Sequence, residues 1–248
     1  MDHVVQLYQK LDGLADAVVE YIGAGLARGE GAVIIATPEH GTAFLARLST
    51  ADRSRLKVMD AEQTLATFMV GGRPQWQAFR QVIGGLIAEM RLQYPAVCAY
   101  GEMVDVLWQR GERDAAIRLE EFWNDLAKLQ TFSLLCAYYM DNLDAAAYHG
   151  PLECICKVHT HLIPARDYEQ FNQAVIEASK EALDAPLADM LLSLSERHRP
   201  PTAMPQGQAT LLWLQRNMPR TAEKVLTGVR SRSCWPGSAP VPAASPTS

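Results

Sequence analysis

Three stretches of this chain are almost continuously apolar: Ala32-Val33-Ile34-Ile35-Ala36, Ala96-Val97-Cys98-Ala99-Tyr100 and Phe132-Ser133-Leu134-Leu135-Cys136-Ala137-Tyr138. A strand with one wet face alternates apolar and polar residues, whereas a strand covered on both faces is apolar throughout. Continuous runs of this kind therefore belong to a parallel sheet with helices on each side. Two weaker runs, His3 to Tyr8 and Leu56 to Met59, supply further strands.

The segments between the runs have helical spacing. Asp12 is placed to cap a helix with Leu14, Val18, Ile22 and Leu26 on one face, ended by Gly29. Thr37-Pro38 opens a helix to about Leu48, a short helix spans Ala61 to Val70, and Gly71-Gly72-Arg73-Pro74 is a turn before a long helix from Gln75 to Gln93. Helices are also expected from Glu102 to Gln109, from Glu112 to Leu129 after a break at Gly111, through Cys154 to His161 after Gly150-Pro151, and from Tyr168 to Leu183. Strands alternating with helices predict an α/β fold: a three-layer parallel sheet flanked by helices, Rossmann-like or RecA-like.

From Asp184 the pattern is helical only, at about Leu187–Glu196, Gln206–Asn217 and Thr221–Val229. This gives an α/β domain over residues 1–183, a C-terminal helical extension over 184–232 and a Pro/Ala/Ser-rich tail, 233–248, expected to be disordered. A chain of 248 residues that is 48% hydrophobic can bury a large core. A mean hydropathy of -0.08 without an apolar run of membrane length argues against a transmembrane helix. The N-terminus reads directly into an apolar run without a basic leader, and the five cysteines are odd in number and scattered. Both features fit a cytoplasmic, reducing setting.

The net charge of -5 is unevenly spread. From Arg197 onward there are seven Lys/Arg and one acid, which leaves 16 basic and 27 acidic residues before it. A basic arm for nucleic acid is one reading. A basic segment lying against its own acidic body, or against a partner copy, is favoured, because the basic residues are dispersed and lack interleaved aromatics.

In open parallel sheets, ligands bind outside the carboxyl ends of the strands. The residues just past the strands are Tyr8; Thr37, Glu39 and His40; Asp60; Glu102; and Tyr138, Tyr139 and Asp141, all polar or aromatic. Glu102, directly after a strand-end glycine, is the sharpest candidate, although an acid in a helix's first turn is also favoured by the helix dipole. His40 reads equally as a solvated helix residue. Trp108 and Trp123 lie on apolar helix faces, and of the two Trp108 is the better ligand contact. The expected ligand set is Tyr8, His40, Glu102, Trp108, Tyr139 and His159.

The run Cys154-Ile155-Cys156-Lys157-Val158-His159-Thr160-His161 has the residue types of a metal site. On a continuous helix, however, Cys154 and His161 fall on one side and Cys156 and His159 on the other, so the four cannot converge. A structural role is the first reading; a pair of these residues binding metal with ligands from elsewhere, or His159 serving a ligand pocket, stays open, and neither a metal set nor a cofactor is assigned. A phosphate-binding Gly-x-x-x-x-Gly-Lys-Ser/Thr loop and a Gly-x-Ser-x-Gly elbow are absent from the sequence, and Gly23-Ala24-Gly25 lies inside a helix. An enzyme is therefore not expected. A residual nucleotide binder using Glu102 as base or metal ligand stands as the alternative.

The segments His3 to Tyr8, Gly25 to Glu30, Val33 to His40, Gly101 to Val104, Leu107-Trp108, Leu119 to Asn124, Phe132 to Tyr138 and Cys156 to Pro164 together resemble the MEDS domain, the methanogen/methylotroph DcmR-type sensory domain, across about residues 1–183. The resemblance implies a degenerate KaiC/RecA-like fold that lost its phosphate loop and became a sensor. It also implies small hydrocarbon-derived ligands and partners such as a histidine kinase or transcriptional regulator. No kinase or helix-turn-helix segment is recognisable here, so output would pass through a partner or through the C-terminal helices. There Leu211, Leu212, Leu214, Met218 and Val225 offer apolar surface for a homo-oligomer.

Overall fold

A computed structural model describes residues 2–163, 168–197 and 204–232. The 233–248 tail, Pro164 and Arg199-Pro200-Pro201 lie outside the described residues. The first strand, β1 (His3–Tyr8), leads into α1 (Leu11–Ala27), β2 (Gly31–Ala36), α2 (Pro38–Arg47), the single turn α3 (Thr50–Arg53) and β3 (Leu56–Asp60). Then come α4 (Ala61–Ala66), the hairpin β4 (Met69–Val70) and β5 (Arg73–Pro74), and the helices α5 (Trp76–Phe79) and α6 (Gly85–Arg91), joined by a π turn at Arg80–Gly84. The rest of the body is β6 (Val97–Gly101), α7 (Met103–Gln109), α8 (Arg113–Leu129), β7 (Ser133–Tyr139), α9 (Pro151–Val158) and β8 (His161–Ile163). Four helices follow: α10 (Tyr168–Ala182), α11 (Ala185–Arg197), α12 (Gln206–Asn217) and α13 (Pro219–Arg232).

Strands β3-β2-β6-β7-β1-β8 form one six-stranded sheet in which every pairing is parallel. Alternate residues of each strand enter two separate cores. Ala32, Ile34, Cys98, Tyr100, Leu135 and Ala137 pack against α1 and α2 on one face. Val33, Ile35, Val97, Ala99, Leu134, Cys136 and Tyr138 pack on the other face against helices α4 to α9. The three-layer architecture read from the apolar runs is the one observed.

Close packing fixes the layers. Gly25 of α1 sits so near β6 that a methyl group there would lie 2.3 Å from Cys98 Sγ. On the other face Trp123 is buried edge-on against Phe79, with ring centroids 5.2 Å apart, and beside Gly101. Replacing so large a core side chain by alanine typically costs about 3–5 kcal/mol.

Four local expectations change. Lys10 occupies the N-cap position of α1 without a side-chain capping bond, and Asp12 instead lies in the first turn, paired with Arg47 at 2.6 Å. The helix from residue 61 ends at Ala66, and the chain then folds into the small hairpin around Gly71 and Gly72, whose positive φ values of 56° and 74° suit glycine. The helix after Pro151 stops at Val158: His159 is extended, and the chain continues as β8 along the otherwise unpaired edge of β1. Thr160 clamps that edge, its N–H donating to the His3 carbonyl at 2.7 Å and its hydroxyl to the same oxygen at 2.8 Å.

The fourth change concerns the C-terminal helices. Leu211, Leu212, Leu214 and Val225, offered above as oligomerisation surface, are buried within the chain. The small residues Gly207 and Gly228 let α12 and α13 press onto Phe171 and Ala178 of α10. Basic side chains then fasten these helices: Arg216 pairs with Glu153 of α9 and Arg230 donates to the Leu143 carbonyl, both in the body, while Arg232 pairs with Glu181 of α10.

Candidate functional site

Strands β2 and β6 are neighbours, yet the chain leaves β2 through α2 on one face and leaves β6 through α7 on the other. A crevice must open where the two exits part. Here it is a cleft of about 690 Å³, walled by Thr37 to His40 at the start of α2 and by Glu102 to Arg110 along α7. Tyr8, at the end of β1, lines it as well.

Glu102 lies at its floor, 2% exposed. One carboxylate oxygen accepts the Thr37 backbone N–H. The other accepts His40 Nδ1–H at 2.8 Å and the Tyr100 hydroxyl at 2.7 Å. Its own N–H donates to the Ile35 carbonyl at 3.1 Å, fixing the end of β6 to β2. The bond to Glu102 raises the His40 imidazole above its ordinary pKa, against an opposing desolvation. Burial and the neighbouring carboxylates push the Tyr100 phenol well up.

Asp105 follows one turn later on the same side of α7. It accepts the Tyr8 hydroxyl at 2.7 Å and the Tyr139 backbone N–H at 2.9 Å. Burial raises its carboxyl above the ordinary value, although these hydrogen bonds pull the other way. Burial and Asp105 together push the Tyr8 phenol up strongly. The Tyr8 ring stands edge-on to both His40 and Tyr139, with centroids 5.9 and 5.8 Å away. Farther out, Arg110 pairs with Glu62 at 2.8 Å.

The structure brings Tyr8, His40 and Glu102 together in this cleft, with Tyr139 at its rim beside Tyr8. Trp108 faces elsewhere: its ring packs on Tyr138 at 5.3 Å and under the Arg113 guanidinium at 5.3 Å. Arg113, with Arg73 and Arg118, contributes to a second cleft of about 570 Å³ at the start of α8. The other strand-end residues have local duties. Asp60 caps α4 by accepting the Gln63 N–H, and Asp141 accepts from Gln9 at 2.6 Å.

His159 lies within the core on the α8 side of the sheet. It joins His3 of β1, Glu120 of α8 and Cys136 of β7, all four buried, with potential ligand atoms within 4.8 Å of one another. Burial acts to raise the Glu120 carboxyl, but the two imidazoles outweigh it and hold it well below the usual carboxylate range. Burial pushes the Cys136 thiol well up. Within the helix-wheel set, Cys154 and His161 are exposed and Cys156 is buried, so those residues do not gather around His159.

Strand-end reasoning missed Tyr100, Asp105 and Gln109 at the cleft and His3, Glu120 and Cys136 around His159. Asp105 carried a signal, since three residues after Glu102 is one helical turn. Glu120 carried a stronger one: it lies four residues after Ala116 and three before Trp123, a charge in the middle of an apolar stripe.

The family model of the methanogen/methylotroph, DcmR sensory domain (MEDS) matches residues 2–160, from β1 to the turn before β8. Neither a curated protein nor a solved structure matches. The match spans most of the chain and both walls of the cleft, and the chain belongs to this sensory-domain family.

Proposed function

We propose that this MEDS domain is a non-catalytic sensor that binds a small, hydrogen-bond-donating or cationic molecule in the strand-end cleft and relays occupancy to a partner protein. The observation that carries this reading is the composition of the cleft. Glu39, Glu62, Glu102 and Asp105 stand against one guanidinium, Arg110, and one imidazole, His40. A concave site with that balance favours cations over anions. The edge-on rings of Tyr8 and Tyr139 add aromatic surface for a small organic cation.

The same geometry argues against the enzymatic alternative. Three of the roughly four acceptor positions of the Glu102 carboxylate are taken by its own chain, which leaves room to hold a ligand donor but makes a poor general base. A nucleotide triphosphate would bring several negative charges beside four carboxylates. The relay has a short path, because Asp105 holds the Tyr139 N–H at the end of β7 and the chain runs from there into the segment where Arg230 of α13 docks on Leu143.

The test is a thermal-shift and calorimetric screen of the full chain against short alkylamines, amino alcohols, simple carboxylates and ATP with magnesium. Saturable stabilisation by amines that is lost in Glu102→Gln and Asp105→Ala is expected. Saturable binding of ATP or of carboxylates alone would overturn the reading.

A further inference from the structure

The cluster under the sheet poses a proton-counting problem. Asn124 donates through Nδ2 to the Val158 carbonyl at 2.9 Å, which turns its Oδ1 toward His3 Nδ1, also at 2.9 Å. His3 Nδ1 must therefore carry a hydrogen. His159 Nδ1 lies 2.7 Å from the Ile155 carbonyl, an acceptor only, so it carries one too. Both rings are thereby set with Nε2 toward the same carboxylate, His3 Nε2 at 3.1 Å and His159 Nε2 at 3.2 Å from Glu120.

Neutral rings in that tautomer would aim two lone pairs at the oxygens of an ionised Glu120. Two protonated rings would place two buried cations with centroids 4.3 Å apart against one anion. Either arrangement is costly in a low-dielectric interior, and a single imidazolium, which would balance the Glu120 charge, still aims the other ring's lone pair at the carboxylate. A divalent cation removes the conflict, because with the Glu120 carboxylate and a Cys136 thiolate its charge sums to zero.

The spacing agrees. His3 Nε2, Glu120 Oε2 and Cys136 Sγ form a triangle with edges of 3.1, 3.4 and 3.4 Å. Tetrahedral bonds of about 2.0–2.3 Å imply ligand–ligand edges of roughly 3.3–3.7 Å. The supports are those of a metal centre as well. Asn124 and the Ile155 carbonyl hold the imidazoles by their far nitrogens, and the Tyr138 hydroxyl donates to Glu120 at 2.8 Å.

We propose that His3, Glu120, Cys136 and His159 form a structural binding site for one divalent transition metal of the zinc class. Two imidazoles, one carboxylate and one thiolate select such a metal over magnesium or calcium. With all four positions supplied by protein and buried, the metal would tie β1, β7, α8 and the α9–β8 turn together rather than meet a substrate. Binding releases the Cys136 thiol proton and leaves the imidazoles neutral.

The full chain should carry one zinc after dialysis against a chelating resin, measured by elemental mass spectrometry. Reconstitution with cobalt(II) should give tetrahedral d–d bands and a thiolate-to-cobalt charge-transfer band. Cys136→Ser should abolish the charge-transfer band, Cys156→Ser should keep it, and Asn124→Ala should weaken zinc binding by about 10–100-fold. Circular dichroism of each variant separates ligand loss from unfolding. Wild-type protein that folds yet takes up neither zinc nor cobalt stoichiometrically overturns the proposal. So does a charge-transfer band that survives in folded Cys136→Ser.

Discussion

His40 Nδ1 lies 2.8 Å from Glu102 Oε2, and this contact makes the cleft sensitive to pH. The imidazole is raised above 6.5 chiefly by that hydrogen bond. A group whose folded pKa exceeds its unfolded value contributes stability that is complete below the unfolded pKa and is lost as pH rises through the folded one. The chain should therefore lose stability as pH climbs from about 6.5 through the raised His40 value. Glu39, Glu102 and Asp105 all face this imidazole and reinforce the effect. NMR titration of the His40 ring should give a midpoint above the ordinary one in wild type, falling in Glu102→Gln. A midpoint unchanged by that substitution would contradict the assignment.

Tyr8 and Asp105 give a second prediction, of opposite origin. Burial raises the Asp105 carboxyl above 3.8, so folding favours its protonated form. Between 3.8 and the raised value the folded state binds more protons than the unfolded state, and stability falls as pH rises. Asp105→Asn keeps an acceptor for the Tyr139 N–H and removes the charge, so its urea midpoint should vary less across that window than the wild-type midpoint. Asp105→Ala removes the side-chain acceptor of both the part-buried Tyr139 N–H and the Tyr8 hydroxyl and should cost about 1 kcal/mol at neutral pH.

How far the sequence could lead is visible in single residues. The sheet was legible because Val33, Ile35, Cys98 and Leu134 sit in runs that only a doubly covered strand tolerates. Tyr8, His40 and Glu102 were legible as strand-end residues, since topology alone sends strand ends to the crevice. β8 was not, because His161-Leu162-Ile163 is three residues long and becomes a strand only through pairing with β1 and the Thr160 clamp. Nor was the Glu120 cluster, whose members come from four elements. His3 and Cys136 look like ordinary strand residues until folding closes the 121-residue separation between His3 and Asn124.

The C-terminal helices should prove inseparable from the α/β body. Phe171 and Val175 of α10 are buried, and Gly207 of α12 lies close enough to Phe171 that a methyl group there would sit 3.0 Å from its ring. Each large apolar side chain exposed by removing α11 to α13 forfeits about 1.5–3 kcal/mol. A chain ending at Leu183 should melt at a markedly lower temperature and bind hydrophobic dyes. An unchanged melting temperature would show that α10 is held by the body alone.

Gly25 links the helical layer to the site, and its substitution tests that link. A Cβ at Gly25 would lie 2.3 Å from Cys98 Sγ and 2.9 Å from Cys98 Cβ, closer than real contacts allow, so Gly25→Ala must push α1 away from β6. Overpacking of this kind costs about 1–3 kcal/mol, more than any gain in helix propensity from alanine. Because β6 carries Tyr100 and leads directly into Glu102, whose carboxylate both Tyr100 and His40 hold, the shift should also loosen the His40 bond and lower the His40 midpoint. Cys98→Ala added to Gly25→Ala removes the Sγ clash but leaves the Cβ one. It should recover part of the stability and part of the His40 shift together. Recovery of stability without movement of the His40 midpoint would show that α1 packing and the cleft are uncoupled.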